Sequence, residues 1–87
     1  MANHASAEKR NRQRLVRTER NRGVRSTVRT AVKKARAAIA EGDKTAAAPL
    51  VSRASNLLAQ AVSKGIVHRN TGARTTSRIN SALAKLG

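Results

Sequence analysis

Aromatic residues are missing from this chain: its 87 residues include no Phe, Tyr or Trp. Large rings dominate ordinary cores, so the interior has to be built from Leu, Ile, Val and Ala, which suits close helix-on-helix packing. The same absence removes the stacking platforms on which single-stranded bases are usually held, leaving phosphate, groove shape and hydrogen bonds as means of recognition. Cys is missing too, which excludes a disulfide framework, a thiolate nucleophile and a zinc finger or ribbon. No apolar run approaches the roughly 20 residues that span a bilayer. No apolar segment follows the basic N-terminus as a secretory signal would require, and a transit peptide is disfavoured because the basic pattern runs unbroken into an apolar-periodic region. Acids are scarce: Glu8, Glu19, Glu41 and Asp43 stand against 19 Lys and Arg, for a formal net charge of +15.

The cations are unevenly spread. Lys9, Arg10, Arg12, Arg14, Arg17, Arg20, Arg22, Arg25, Arg29, Lys33, Lys34 and Arg36 all fall in the first 36 residues. Self-repulsion at that density opposes compaction unless a polyanion neutralises it, and neutralising phosphates releases condensed counterions. A merely soluble helix usually interleaves Glu with Lys at i,i+4; this one does not. Arg also outnumbers Lys, and its guanidinium fork grips phosphate bidentately. The pattern points to nucleic acid.

Hydrophobic periodicity gives three helices. The first is predicted over about residues 7–40, opening at a Ser6 N-cap with Glu8 in its first turn and closing at Gly42; at 1.5 Å per residue it is roughly 50 Å long. Val24, Val28, Ala31, Val32, Ala35 and Ile39 form one apolar stripe, with Arg22, Arg25, Arg29, Lys33 and Arg36 on neighbouring and opposite faces. Before Arg22 cations surround the helix and only Leu15 and Val16 are large and apolar, so this part is expected to fray in the free chain and to be ordered by RNA.

Asp43 is a good N-cap for the second helix, over about 44–63, with Ala47, Leu50, Val51, Ala54, Leu57, Leu58, Ala61 and Val62 inward and Gly65 beyond its end. Pro49 removes a backbone donor and clashes with the preceding turn. Either the regular helix starts near Ala48 or its first turn is kinked. The third helix, over about 69–85, carries Ala73, Thr76, Ile79, Leu83 and Leu86 inward, with a start softened by Thr71 and Gly72. Connections of a few residues make successive helices antiparallel. The expected fold is all-α, a single domain spanning 1–87: a three-helix antiparallel bundle with an extended first helix.

Catalysis has little to stand on. Glu41 and Asp43 lie at a helix-helix corner where capping accounts for them, and so small a bundle offers no pocket for an acid-base pair. His4, read as a solvated terminal residue, and His68 are too few and too far apart for a metal site. No enzyme activity, cofactor, metal or small-molecule substrate is expected. Two readings of His68 stand side by side: it caps or packs the third helix, or it joins Lys64, Arg69, Asn70, Arg74 and Arg78 in a second polar patch, where Arg74 and Arg78 share a helix face. Ser77 and Asn80 add uncharged groups beside it. Two rival functions share the basic composition. A DNA-compacting protein is separated by competition between duplex DNA and structured RNA. A membrane-active helix would present Trp, Phe or Leu where this one presents mainly Val and Ala.

Met1-Ala2-Asn3, Ser6-Ala7-Glu8-Lys9-Arg10, Arg25-Ser26-Thr27-Val28-Arg29-Thr30, Lys33-Lys34, Ala38-Ile39 and Gly42-Asp43-Lys44 follow one another in a familiar order, as does Lys64 through Arg74 with Ser77-Arg78. In order and spacing they resemble the bacterial small-subunit ribosomal protein S-twenty family over the whole chain. The resemblance implies a cytoplasmic three-helix protein of the small ribosomal subunit. Such a protein binds small-subunit (16S) ribosomal RNA directly, aids assembly of its 5′ domain and lower body, and makes few protein contacts and none with a membrane. Its long first helix would be embedded in RNA. Departures from the family pattern fall at Ala31, often larger there, at Thr76, where Lys is common, and at Pro49.

Overall fold

The computed structural model describes residues 2–86, with side chains from residue 5 onward, so the reading of the His4 side chain lies outside what is described. Three helices follow in order: α1 (Ala2–Glu41), α2 (Lys44–Ser63) and α3 (Arg69–Ala84). Among the described residues there is no strand. The fold is all-α with a long first helix, as expected.

Two glycines turn the chain. Gly42 and Gly65 have φ of 83° and 74°, left-handed values that cost an L residue its Cβ contacts and cost glycine nothing. Backbone N–H groups then close each end: Gly42 donates to the Ile39 carbonyl at 3.0 Å, and Ile66 to that of Ala61 at 2.9 Å. Asp43 accepts from the Ala46 N–H at 3.2 Å and starts α2.

The core forms where the three apolar stripes meet. Val28, Ala31, Val32 and Ala35 of α1 are buried against Val51, Ala54, Leu58 and Ala61 of α2 and Ile79 of α3, with Val24, Ile39, Leu50, Leu57, Val67 and Leu83 packed around them. Small residues at Ala35, Ala47, Ala54 and Ala61, all at 0% exposure, let the backbones approach closely. α2 packs on both of the other helices, whereas α1 and α3 touch over a shorter stretch.

Ser6 and Ala73 depart from expectation, and the start of α1 and the setting of Pro49 gain detail. Ser6 is not a cap: α1 already runs from Ala2, and Ser6 is an exposed helical residue. The stretch before Arg22 is continuous with the rest of α1. Once Val24–Ile39 is held by the core, nucleation is already met and each added residue needs only propagation, which Ala, Arg, Glu, Gln and Leu favour. Pro49 lies inside a helix that starts at Lys44. It and Thr45, whose carbonyl loses its partner, are both exposed, so solvent satisfies the freed group. Ala73 is exposed, and Gly72 is buried in its place. A Cβ built on Gly72 would stand 2.5 Å from Cγ2 of Val62, so the glycine is what lets α3 sit down on α2.

The molecule is long: its principal extents are 66 × 19 × 14 Å, and its radius of gyration is 17.6 Å, against about 12 Å for a compact chain of this length. Every side chain from residue 5 to residue 20 is exposed, including Leu15 at 58% and Val16 at 68%. The first half of α1 is an arm of roughly 24 Å with no side chain buried, and it meets the bundle at its base, where Arg20 borders residues at the end of α2.

Candidate nucleic-acid interface

The arm carries Lys9, Arg10, Arg12, Arg14, Arg17 and Arg20, all exposed. At about 100° per residue their spacing covers an arc of about 200°, not the whole cylinder: Glu8, Asn11, Leu15, Thr18 and Glu19 occupy the remaining side. Lys9, Arg12, Arg17 and Arg20 border one shallow surface with Val16 and Gln13.

Beyond Arg22 the charge sorts itself by face. Arg25, Arg29, Lys33 and Arg36 form one bank of an open groove of about 540 Å³ between α1 and α3. Val28, Val32, Leu58 and Val67 supply its apolar lining, and Thr71 and Thr75 stand on the α3 side. Arg25 also donates from a guanidinium nitrogen to the Ile66 carbonyl at 3.4 Å, tying α1 to the turn between α2 and α3. Lys34 does not belong to this row. It lies across α1, in a groove shared with Arg53 of α2. Arg53 is missing from the sequence-derived candidates, since a lone Arg on an otherwise uncharged stretch of α2 gives no signal until the helices are packed.

The residues of the second patch are contributed by the end of α2, the turn that follows it and α3. Lys64 lies at the end of α2 and borders a notch with Arg20, at the base of the arm. Arg69, Asn70, Arg74, Ser77 and Arg78 are exposed residues of α3. Arg74 and Arg78 are one turn apart, on the side away from Ile79. His68 is the N-cap of α3: its Nδ1 accepts from the Asn70 N–H at 3.1 Å. The capping reading is therefore the one observed, and it fixes the ring so that Nε2 is the nitrogen left for an outside partner. Asn80 is engaged within the fold, donating to the Thr76 carbonyl at 2.9 Å and to Ser55 Oγ at 3.5 Å, which joins α3 to α2.

Of the acids, Asp43 serves as the α2 cap. Among the described residues no group of three or more His, Asp or Glu is placed to hold a metal ion, and no helix is long and apolar enough to cross a membrane. What the surface offers is cationic hydrogen-bond donors on several sides of a thin rod.

The sequence profile of the family described as Ribosomal protein S20 matches residues 2–84. The chain belongs to that family. It is 52% identical over 86 residues to the small ribosomal subunit protein bS20 of Anaeromyxobacter sp. (strain Fw109-5), covering 99% of this chain and 96% of the relative. It is 45% identical to the protein of the same name from Nitrosomonas europaea over 87 residues, the full length of both. With that of Sorangium cellulosum it shares 51% identity over 85 residues, 98% of this chain and 89% of the relative. Membership makes this a structural ribosomal protein and not an enzyme.

Proposed function

We propose that this protein is a constituent of the small ribosomal subunit, in the cytoplasm, that binds small-subunit ribosomal RNA directly and aids its folding and assembly. The observation that carries the reading is the arm: an exposed helix with cations over more than half of its circumference and no side chain from residue 5 to residue 20 buried against the bundle. Such an element gains its stabilisation from phosphate on more than one side, and a polyanion with converging helices supplies that. The bundle braces the arm. Its α1–α3 groove and the α3 cations Arg69, Arg74 and Arg78 add contacts from other directions.

Physically this is a clamp that screens repulsion between RNA segments. Contacts to phosphate position the protein without reading sequence, so the selectivity expected here is for a folded RNA shape. The test is binding to a transcript of the 5′ domain of small-subunit ribosomal RNA, with duplex DNA as competitor, alongside co-sedimentation with small subunits. Preference for the folded transcript is the expected result. Equal or better competition by duplex DNA would replace this reading with DNA compaction.

A further inference from the structure

Gly23 has no explanation within the fold. It lies in the interior of α1, where glycine weakens a helix relative to Ala; its φ is not positive; and a Cβ added to it would meet nothing within 4 Å. It sits where the unsupported arm joins the packed half of the helix, beside a notch of about 350 Å³ between α1 and α2. Arg20 and Lys64 both border that notch, whose floor is largely apolar (Val24, Val28, Leu57 and Ala61) with Thr27 and Gln60 beside it; Arg20 and Lys64 also border a second notch with Asn21. No acidic residue lines the notch among the described residues; Glu19, one turn before Gly23, is outside it. Thr27 donates its hydroxyl to the Gly23 carbonyl at 3.0 Å, which holds that turn in place.

We propose that this notch is a binding site for one phosphodiester unit of RNA, gripped jointly by Arg20 and Lys64. The bare backbone at Gly23 allows the strand to approach the helix more closely than any side chain would permit. Two like charges, one from α1 and one from the end of α2, border the notch and no acid does among the described residues, so its rim is complementary to a single anion. Because Lys64 is anchored in the bundle and Arg20 in the arm, a strand bound here would lock the arm's base to the end of α2. The proposal rests on the RNA reading above and adds a defined site to it.

The test uses the full chain and the 5′-domain transcript at fixed salt. Gly23→Ala puts a methyl into open space and favours helix, so circular dichroism should show a fold at least as helical as the parent. RNA affinity should nonetheless fall, by about tenfold, the scale of one charge-assisted hydrogen bond. Arg20→Gln and Lys64→Gln should each weaken binding, and the double variant should lose less than the product of the two single losses, because both side chains serve one phosphate. Gly23→Ala binding as tightly as the parent would overturn the proposal, and so would single losses that multiply. If the parent chain does not bind the transcript at all, the RNA reading itself falls and the notch with it. If the parent binds and only the Gly23 and pairing results fail, the notch alone is wrong.

Discussion

Replacing Gly72 with Ala sets two effects of known sign against each other. Helix propensity favours the change by about 1 kcal/mol, since glycine loses more backbone freedom on entering a helix. Packing opposes it. The new Cβ would lie 2.5 Å from Val62 Cγ2, and 4.0 Å from both Val62 Cβ and Val67 Cγ1. Only the first contact is impossible, being more than 1 Å inside the separation of about 3.5–4.0 Å at which two carbons rest. The Val62 side chain cannot easily swing clear, because a β-branched residue in a helix has one strongly preferred rotamer. Either α3 lifts from α2 or Val62 leaves its well, and overpacking of this kind costs about 1–3 kcal/mol. The expected net effect is a loss of about 1 kcal/mol, or about 4–8 °C in Tm for a domain of this size.

The sign should reverse when the obstacle goes. In a Val62→Ala background, Gly72→Ala should stabilise by about 1 kcal/mol, leaving propensity alone, and the cycle should show a coupling of about 2 kcal/mol. Urea unfolding followed by circular dichroism measures all four corners. If Gly72→Ala stabilises equally with Val62 present, the close approach of α3 to α2 is not what the glycine provides.

Other consequences are open to similar checks. Asp43→Ala should cost about 1 kcal/mol by uncapping α2, read from the urea midpoint, while Asp43→Asn should keep most of the cap. Ile79→Val, which removes one methylene from a side chain only 1% exposed, should cost about 1 kcal/mol in the same assay. Amide hydrogen exchange on the free protein should be fast over residues 5–20, whose opening uncovers no buried side chain, and slow around Val51, Ala54 and Leu58. Comparable protection in both regions would mean the arm is held by something other than its own helix.

The three helices are legible because the stripe from Val24 to Ile39 and its counterpart from Ala47 to Val62 repeat at helical spacing, and because Gly42 and Gly65 punctuate them. Local signals point the wrong way at a few positions. Ser6 is a good cap in isolation, yet an anchored helix propagates through it toward Ala2. Ala73 is apolar and Gly72 is not, so a reading by hydrophobicity puts the inward face of α3 one residue off; size, not hydrophobicity, selects Gly72. Which way Pro49 resolves depends on whether the freed carbonyl faces solvent, and that is a property of the packed helix. The candidate site divides in the same way. The identity and density of the cations are plain in the chain. The pairing of Lys64 with Arg20, and of Lys34 with Arg53, is not, because residues far apart in sequence meet only through the antiparallel topology. The His68 cap turns on the placement of one ring nitrogen.

The clamp is tested most directly by the salt dependence of binding to the 5′-domain transcript, compared between the parent and a variant carrying Gln at Arg14, Arg17, Arg20 and Arg25. Affinity of the parent should fall steeply and linearly on a log-log plot against salt. The variant should bind more weakly at every sequence tried, with a slope reduced by about one unit for each phosphate it no longer neutralises. A parent affinity that does not respond to salt, or a variant with the parent's affinity and slope, would contradict the claim that the arm holds RNA by its phosphates.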